Sequence, residues 1–232
     1  MKILFSVFIL LSVSSVFSQE KQIVSPIIEV DSLYREDQFY LGLTYNSLYN
    51  RPDGVSQNKI SSGVSFGFLR DMPINKKRTI AIATGFGFSF SRSNQNLLIS
   101  ETNQTRTYSV IGPGVDYSKN KLTQYFIDLP LELRWRTSTP ESHKFWRVYS
   151  GVKLSYLILD KYIHTDTQSS YSISNNDDLN KLQFGSYLAF GYNTWNFYAF
   201  YGFTPFFKTS TQINNQPLGL KTLNLGLMFY IL

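Results

Sequence analysis

Six charged residues occur at alternate positions in two neighbouring stretches of the chain, and they are the first candidates for chemistry. Between Leu122 and Arg136, the residues Tyr125, Ile127, Leu129, Leu131, Leu133 and Trp135 alternate with Phe126, Asp128, Pro130, Glu132, Arg134 and Arg136. Between Trp146 and Ile158, Val148, Val152, Leu154 and Tyr156 oppose Arg147, Tyr149, Gly151, Lys153 and Ser155. A strand sends successive side chains to opposite faces, so Asp128, Glu132, Arg134, Arg136, Arg147 and Lys153 share an apolar-backed inner face. Carboxylates among bases suit a proton path, a substrate path or a catalytic acid. They equally suit a plug in which charges neutralise one another. Buried charges cost several kcal/mol each unless paired, and two acids facing four bases can largely compensate. The plug is therefore the expected role, with Glu132 paired to Arg134, Arg147 or Lys153.

Other reactive groups are sparse. His164, Asp166 and Ser169 have the residue types of a Ser–His–acid site, but they fall in a polar stretch that reads as a solvated loop. His143 falls in a different, shorter connection. The chain has no cysteine, which excludes a disulfide framework and a thiol site. No His, Asp and Glu set has metal-ligand spacing, and Gly85-Phe86-Gly87 lies mid-strand, where glycine relieves crowding. No cofactor, no metal and no enzymatic activity are expected. The net charge of +6 is spread without a cluster, so a nucleic-acid partner is not expected either.

The elements that must position these residues are strands. Eight alternating segments are predicted: Gln38–Leu48, Ile60–Arg70, Thr79–Ser91, Leu122–Arg136, Trp146–Ile158, Lys181–Tyr192, Phe197–Phe207 and Lys221–Leu232. The seventh is apolar on both faces, which leaves its register open. Each approximates the ~9–11 residues that cross a bilayer at a tilt. The connections Asp71–Arg78, Thr137–Phe145 and Asn193–Asn196 are short. Those at Asn46–Lys59, Arg92–Lys121, Asp160–Asn180 and Lys208–Gly219 are longer and polar. Long loops at one end and short turns at the other are the outer-membrane pattern, with short turns in the periplasm. Aromatics reach 16% of the chain and charged residues only 16%, against roughly 25% charged in soluble domains. The expected fold is an all-β, eight-stranded antiparallel transmembrane barrel over residues 37–232.

Both ends of the chain support export to an outer membrane. Lys2 followed by the apolar run Ile3–Val16 and Val16-Phe17-Ser18 reads as a signal peptide over residues 1–18. Residues 19–36 form a periplasmic segment whose Ile23, Val24, Ile27, Ile28 and Val30 either add to a partner's sheet edge or fold into the barrel mouth. At the other end, Leu223, Leu225, Leu227, Phe229 and Ile231 share one face. Asn224, Gly226, Phe229 and Ile231 resemble the C-terminal signal that bacterial barrels present to the barrel-assembly machinery. Trp135, Trp146 and Trp195 cluster at the short turns, as an interfacial girdle would.

Two segments carry a family resemblance. Asp31–Asn46, with its Arg35-Glu36-Asp37-Gln38-Phe39-Tyr40 opening, and Phe126–Arg136, with Leu129-Pro130-Leu131-Glu132-Leu133-Arg134, resemble the PorT (SprT) proteins of Bacteroidota. The Leu-Pro-Leu-x-Leu-Arg strand is shared with a wide group of eight-stranded barrels, whereas the opening is more specific. The resemblance implies an outer-membrane barrel of the type IX secretion and gliding-motility apparatus. It implies a non-enzymatic part in export or assembly, with outer-membrane lipid and other secretion-system subunits as partners. A surface adhesin or ligand-binding barrel that uses its long loops is the alternative.

Overall fold

The computed structural model describes residues 35–57, 59–103, 105–138 and 145–231. The expected signal peptide, nearly all of segment 19–36 and His143 lie outside the described residues. Thirteen strands occur among the described residues: β1 (Gln38–Tyr49), β2 (Ser62–Pro73), β3 (Ile80–Asn94), β4 (Leu97–Thr102), β5 (Thr105–Val110), β6 (Tyr117–Arg136), β7 (Trp146–Asp166), β8 (Ser170–Ser174), β9 (Leu182–Tyr192), β10 (Trp195–Gly202), β11 (Gln212–Ile213), β12 (Gln216–Pro217) and β13 (Lys221–Ile231).

Eight of them form a closed antiparallel ring in the order β1, β2, β3, β6, β7, β9, β10, β13. Each pairs with its neighbour along the chain, and β13 returns to β1 with Tyr40 opposite Tyr230 and Thr44 opposite Gly226. Closure leaves no unpaired strand edge, a requirement for backbone surrounded by lipid. The pairing also assigns the register that periodicity alone left open. Phe197 lies opposite Phe190 and Leu227, so it faces outward, while Asn196, Tyr198 and Phe200 turn inward and are buried. The strand itself is shorter than expected and ends at Gly202.

The outer wall is a continuous apolar surface. Phe39, Phe66, Leu129, Leu133, Phe197 and Ile231 are all more than half exposed, which is stable only against lipid or another apolar partner. Trp135, Trp146 and Trp195 are exposed on this wall at its short-turn end. The inner face alternates small and large residues, as a narrow barrel demands. A Cβ on Gly87 would lie 1.9 Å from the Tyr40 hydroxyl, and one on Gly185 would lie 2.4 Å from the Phe200 ring. Glycine is required at both places because an aromatic ring from another strand occupies the side-chain space.

Two strands run further than their patterns suggested. β7 continues to Asp166 and β6 begins at Tyr117, so the pair projects past the wall at the long-loop end. The register shifts where Tyr125 pairs with Leu159 and Phe126 with Leu157. Ile158 is the extra residue of a bulge there, which leaves both Ile158 and Leu159 facing outward. Bulges add twist and redirect a strand. Beyond this point β8 pairs with β7, while hairpins β4–β5 and β11–β12 fold over the mouth. Asn214 and Asn215 both take positive φ, 49° and 61°, as the tight turn of β11–β12 requires.

Candidate functional site in the barrel lumen

At the short-turn end, the inward positions of β2, β6 and β7 build an ionic floor. Its hub is Asp71, a residue that sequence reasoning placed in the turn Asp71–Arg78. The strand instead runs through Asp71 to Pro73, and the carboxylate is fully buried. Arg136 grips it with two parallel bonds of 2.8 Å, Nη1 to Oδ1 and Nη2 to Oδ2. Arg134 Nη1 reaches Oδ1 at 3.0 Å. Bidentate guanidinium–carboxylate pairs are the strongest ion pairs available to side chains. The Asp71 backbone N–H donates to Asp37 at 2.7 Å, and the Glu36 backbone N–H donates to Asp71 Oδ2 at 3.4 Å. The segment that precedes β1 is thereby tied to the floor.

Glu132 links the floor to the barrel centre. Its Oε2 accepts from Arg134 Nε at 2.8 Å, so of the three cations considered for it Arg134 is the one bonded. Its Oε1 accepts from Tyr187 at 2.9 Å and from Tyr230 at 3.3 Å. Above it, Tyr40, Tyr198, Tyr187, Met228 and Phe200 fill the section. Asp128 is a separate centre: it accepts from Lys153 Nζ at 3.2 Å and Ser155 Oγ at 2.5 Å, and Lys153 also lies 4.7 Å above the Phe200 ring. Arg147 departs from the expected network. It is buried, yet it makes no ion pair among the described residues; its guanidinium lies 4.5 Å from the Phe145 ring.

Asn224, Gly226, Phe229 and Ile231 all lie in β13. Asn224 faces inward and accepts from Thr222 Oγ1. Gly226 packs against Leu43 and Thr44 of β1, where a Cβ would collide with backbone. Phe229 and Ile231 face outward, and Phe229 meets Trp195 edge-on at 4.9 Å.

The long-loop end carries the second cluster. His164 Nε2 lies 3.0 Å from Asp166 Oδ2, and His164 Nδ1 lies 3.1 Å from Asn120 Oδ1. Asn120 is oriented by donating to the Gln95 and Leu97 carbonyls at 2.5 and 2.9 Å. Ser169 Oγ donates to Asp166 at 3.1 Å and forms no hydrogen bond to His164 among the described residues. A nucleophile needs its base within hydrogen-bond reach; here the order is Ser–Asp–His, which ties a turn. The hydrogen bond from His164, followed by the Gln168 and Ser169 backbone N–H groups, holds the Asp166 pKa down at about 2. No group of three or more His, Cys, Asp and Glu residues suited to a metal occurs among the described residues.

The family described as outer membrane protein beta-barrel domain matches residues 17–215. A comparison with curated protein sequences finds no match. Among solved structures, the attachment invasion locus protein Ail of Yersinia pestis is similar at 15% identity, over 85% of this chain and 100% of Ail, with a TM-score of 0.39. Ail in complex with the heparin analogue sucrose octasulfate is similar at 13% identity, over 86% and 100%, with a TM-score of 0.40.

Proposed function

Because the chain belongs to the outer membrane protein beta-barrel domain family, we propose that it is a non-enzymatic, PorT-like outer-membrane component of the type IX secretion and gliding machinery that supports export or assembly. One observation carries this reading. The two segments in which the resemblance lies are brought together at the ionic floor. Glu36, from the Arg35–Tyr40 opening, is buried, and its carbonyl accepts from Arg134 of the Leu129–Arg134 strand at 3.2 Å. The segment leading into β1 is thus fixed against the lumen. The filled lumen favours a part that anchors or assembles others over one that conducts cargo. In this reading the short turns and both chain ends face the periplasm, and residues 19–36 lead from partner subunits into the floor. Deleting the gene in its own host should abolish release of type IX cargo, and the wild-type gene should restore it. Unchanged cargo release in the deletion strain would overturn the proposal.

The adhesin alternative is favoured by a different observation. The long loops are folded, with Leu97, Ile99, Ile173, Leu179, Phe206 and Phe207 packed into one apolar cluster above the barrel. A rigid cap suits recognition at the cell surface. Loss of adhesion to host or matrix surfaces on replacing the β4–β5 hairpin, with cargo release intact, would favour this reading instead.

A further inference from the structure

On β3, β6 and β7 the outer wall ends, at the long-loop end, in two successive rows of opposite chemistry. Phe90, Tyr125 and Leu159 lie side by side on these three strands. They continue the outward apolar positions, and the Phe90 and Tyr125 rings meet at 5.3 Å. Two residues further along each strand the same face carries Arg92, Thr123 and Lys161, again side by side. Lys121 and Lys119 take the next outward positions of β6, and Lys121 feels the like charges of both Arg92 and Lys119. Charge that is spread along the chain is thus gathered by the fold on one side of the rim. None of these four cations forms an ion pair among the described residues. The nearby acids of β7 are engaged elsewhere, Asp160 by the Asn176 amide and Asp166 by His164. Arg92 Nε is shielded from water and has no hydrogen-bond partner among the described residues. Hydroxyls flank the row, with Ser62 opposite Arg92 and Ser174 opposite Lys161.

We propose that Arg92, Lys121 and Lys161 bind the phosphate of a membrane lipid in the leaflet at the long-loop end, with its acyl chains lying along Phe90, Tyr125 and Leu159. Like charges held this close repel one another, and an anion between them removes that cost. A guanidinium fork and two ammonium groups match phosphate oxygens, and clustered Lys and Arg at a bilayer surface attract anionic headgroups. The occupant is a lipid, and not a free anion, because the row beneath the cations is apolar and continuous with the lipid-facing wall. The proposal rests on the barrel standing in a membrane. It goes beyond the export reading and does not depend on it.

The test titrates the full-length barrel, purified in a neutral detergent, with dilauroyl phosphatidic acid and follows bound lipid by native mass spectrometry. Dilauroylglycerol supplies the same chains without phosphate, and inorganic phosphate supplies the anion without chains. Phosphatidic acid should be retained and dilauroylglycerol should not, and inorganic phosphate at equal concentration should not displace the lipid. Arg92→Gln combined with Lys121→Gln and Lys161→Gln should weaken the tightest binding by about tenfold or more. Lys161→Gln alone, at an exposed position, should weaken it in the same direction, and it decides the matter if the triple variant does not fold. Lys76→Gln with Lys77→Gln, exposed at the short-turn end, should leave it unchanged. Undiminished binding by the triple variant or by Lys161→Gln would overturn the proposal, as would an equal loss in the Lys76 and Lys77 variant. Displacement by inorganic phosphate would show a free-anion site, and equal retention of dilauroylglycerol would show an apolar wall without headgroup recognition; either result also overturns it.

Discussion

At the residue scale the floor is decided by Asp71, and it shows what a period-two reading misses. Gly63, Ser65, Gly67 and Leu69 already mark the inner face of β2, and Asp71 is the next member of that series. Asp and Pro are both depleted in strands, so Asp71-Met72-Pro73 reads as a turn when no partner is in view. The partners are on β6, 63 and 65 residues away. Asp128, Glu132, Arg134 and Lys153 alternate with outward apolar residues, but which charge meets which depends on barrel stagger. Asp71→Ala leaves Arg136 without its bidentate acceptor, and should destabilise the barrel by about 3–5 kcal/mol. Replacing both members, as Asp71→Leu with Arg136→Met, should recover much of that. Urea unfolding in lipid vesicles reads both; a single mutant within about 1 kcal/mol of wild type would show that the floor is not held by this pair. A pH effect belongs to the other end. The folded-state pKa of Asp166 is depressed to about 2, below the ordinary value of about 3.9. The order that Asp166 gives the turn is therefore complete above the ordinary value and lost only as pH falls toward 2. The Asp166 carboxyl resonance should reach its protonated position only well below about pH 4, with its midpoint at about 2. A carboxyl midpoint at or above about 4 would mean that Asp166 is not held by the turn.

Among the elements, β13 and the β6–β7 pair make opposite demands on sequence reading. β13 was legible in full, because Leu223, Leu225, Leu227, Phe229 and Ile231 alternate without interruption and its partners β1 and β10 preserve that register. The β6–β7 pair was legible only as far as the bulge at Ile158, since one extra residue inverts the faces of everything beyond it. Past that point Asp160, Tyr162 and His164 are buried under the cap, although a continued alternation reads as a polar loop. Phe229 tests the terminal strand. Phe229→Asp places a charge on the outer wall beside Trp195, which costs about 2 kcal/mol or less according to depth. Recognition by the assembly machinery should be affected more than that energy implies, so the variant should fall well below wild-type abundance in outer membranes. Heat-modifiable Phe229→Asp barrel at full abundance would show that Phe229 is no part of an assembly signal.

For the whole molecule, the deciding property is that the lumen is closed in two chemically different ways. The short-turn half is closed by ions and tyrosines, with Asp71, Arg134, Arg136 and Glu132 below and Tyr187, Tyr198 and Tyr230 across the section. The long-loop half is closed by an apolar cluster drawn from the loops, including Leu97, Leu179 and Phe207. Between them lies a cavity of about 50 Å³ with a mixed lining, polar at Asn46, Ser91, Lys153 and Gln183 and apolar at Phe126 and Phe206. That volume holds only a few waters, far from a continuous aqueous path. Composition shows that an eight-stranded interior is nearly filled by side chains, but it does not show that the loops add a second, independent seal. Reconstituted in a planar bilayer at neutral pH, the wild-type protein should therefore carry no stable single-channel current. Replacing the β4–β5 hairpin with a short Gly-Ser linker should not open it either, because the floor persists without the cap. Asp71→Ala combined with that loop replacement removes both closures, and it is the variant in which transient ion steps should appear. Steady ohmic steps from the wild type would overturn the closed lumen and reopen a conducting role for the line of charges on β6 and β7.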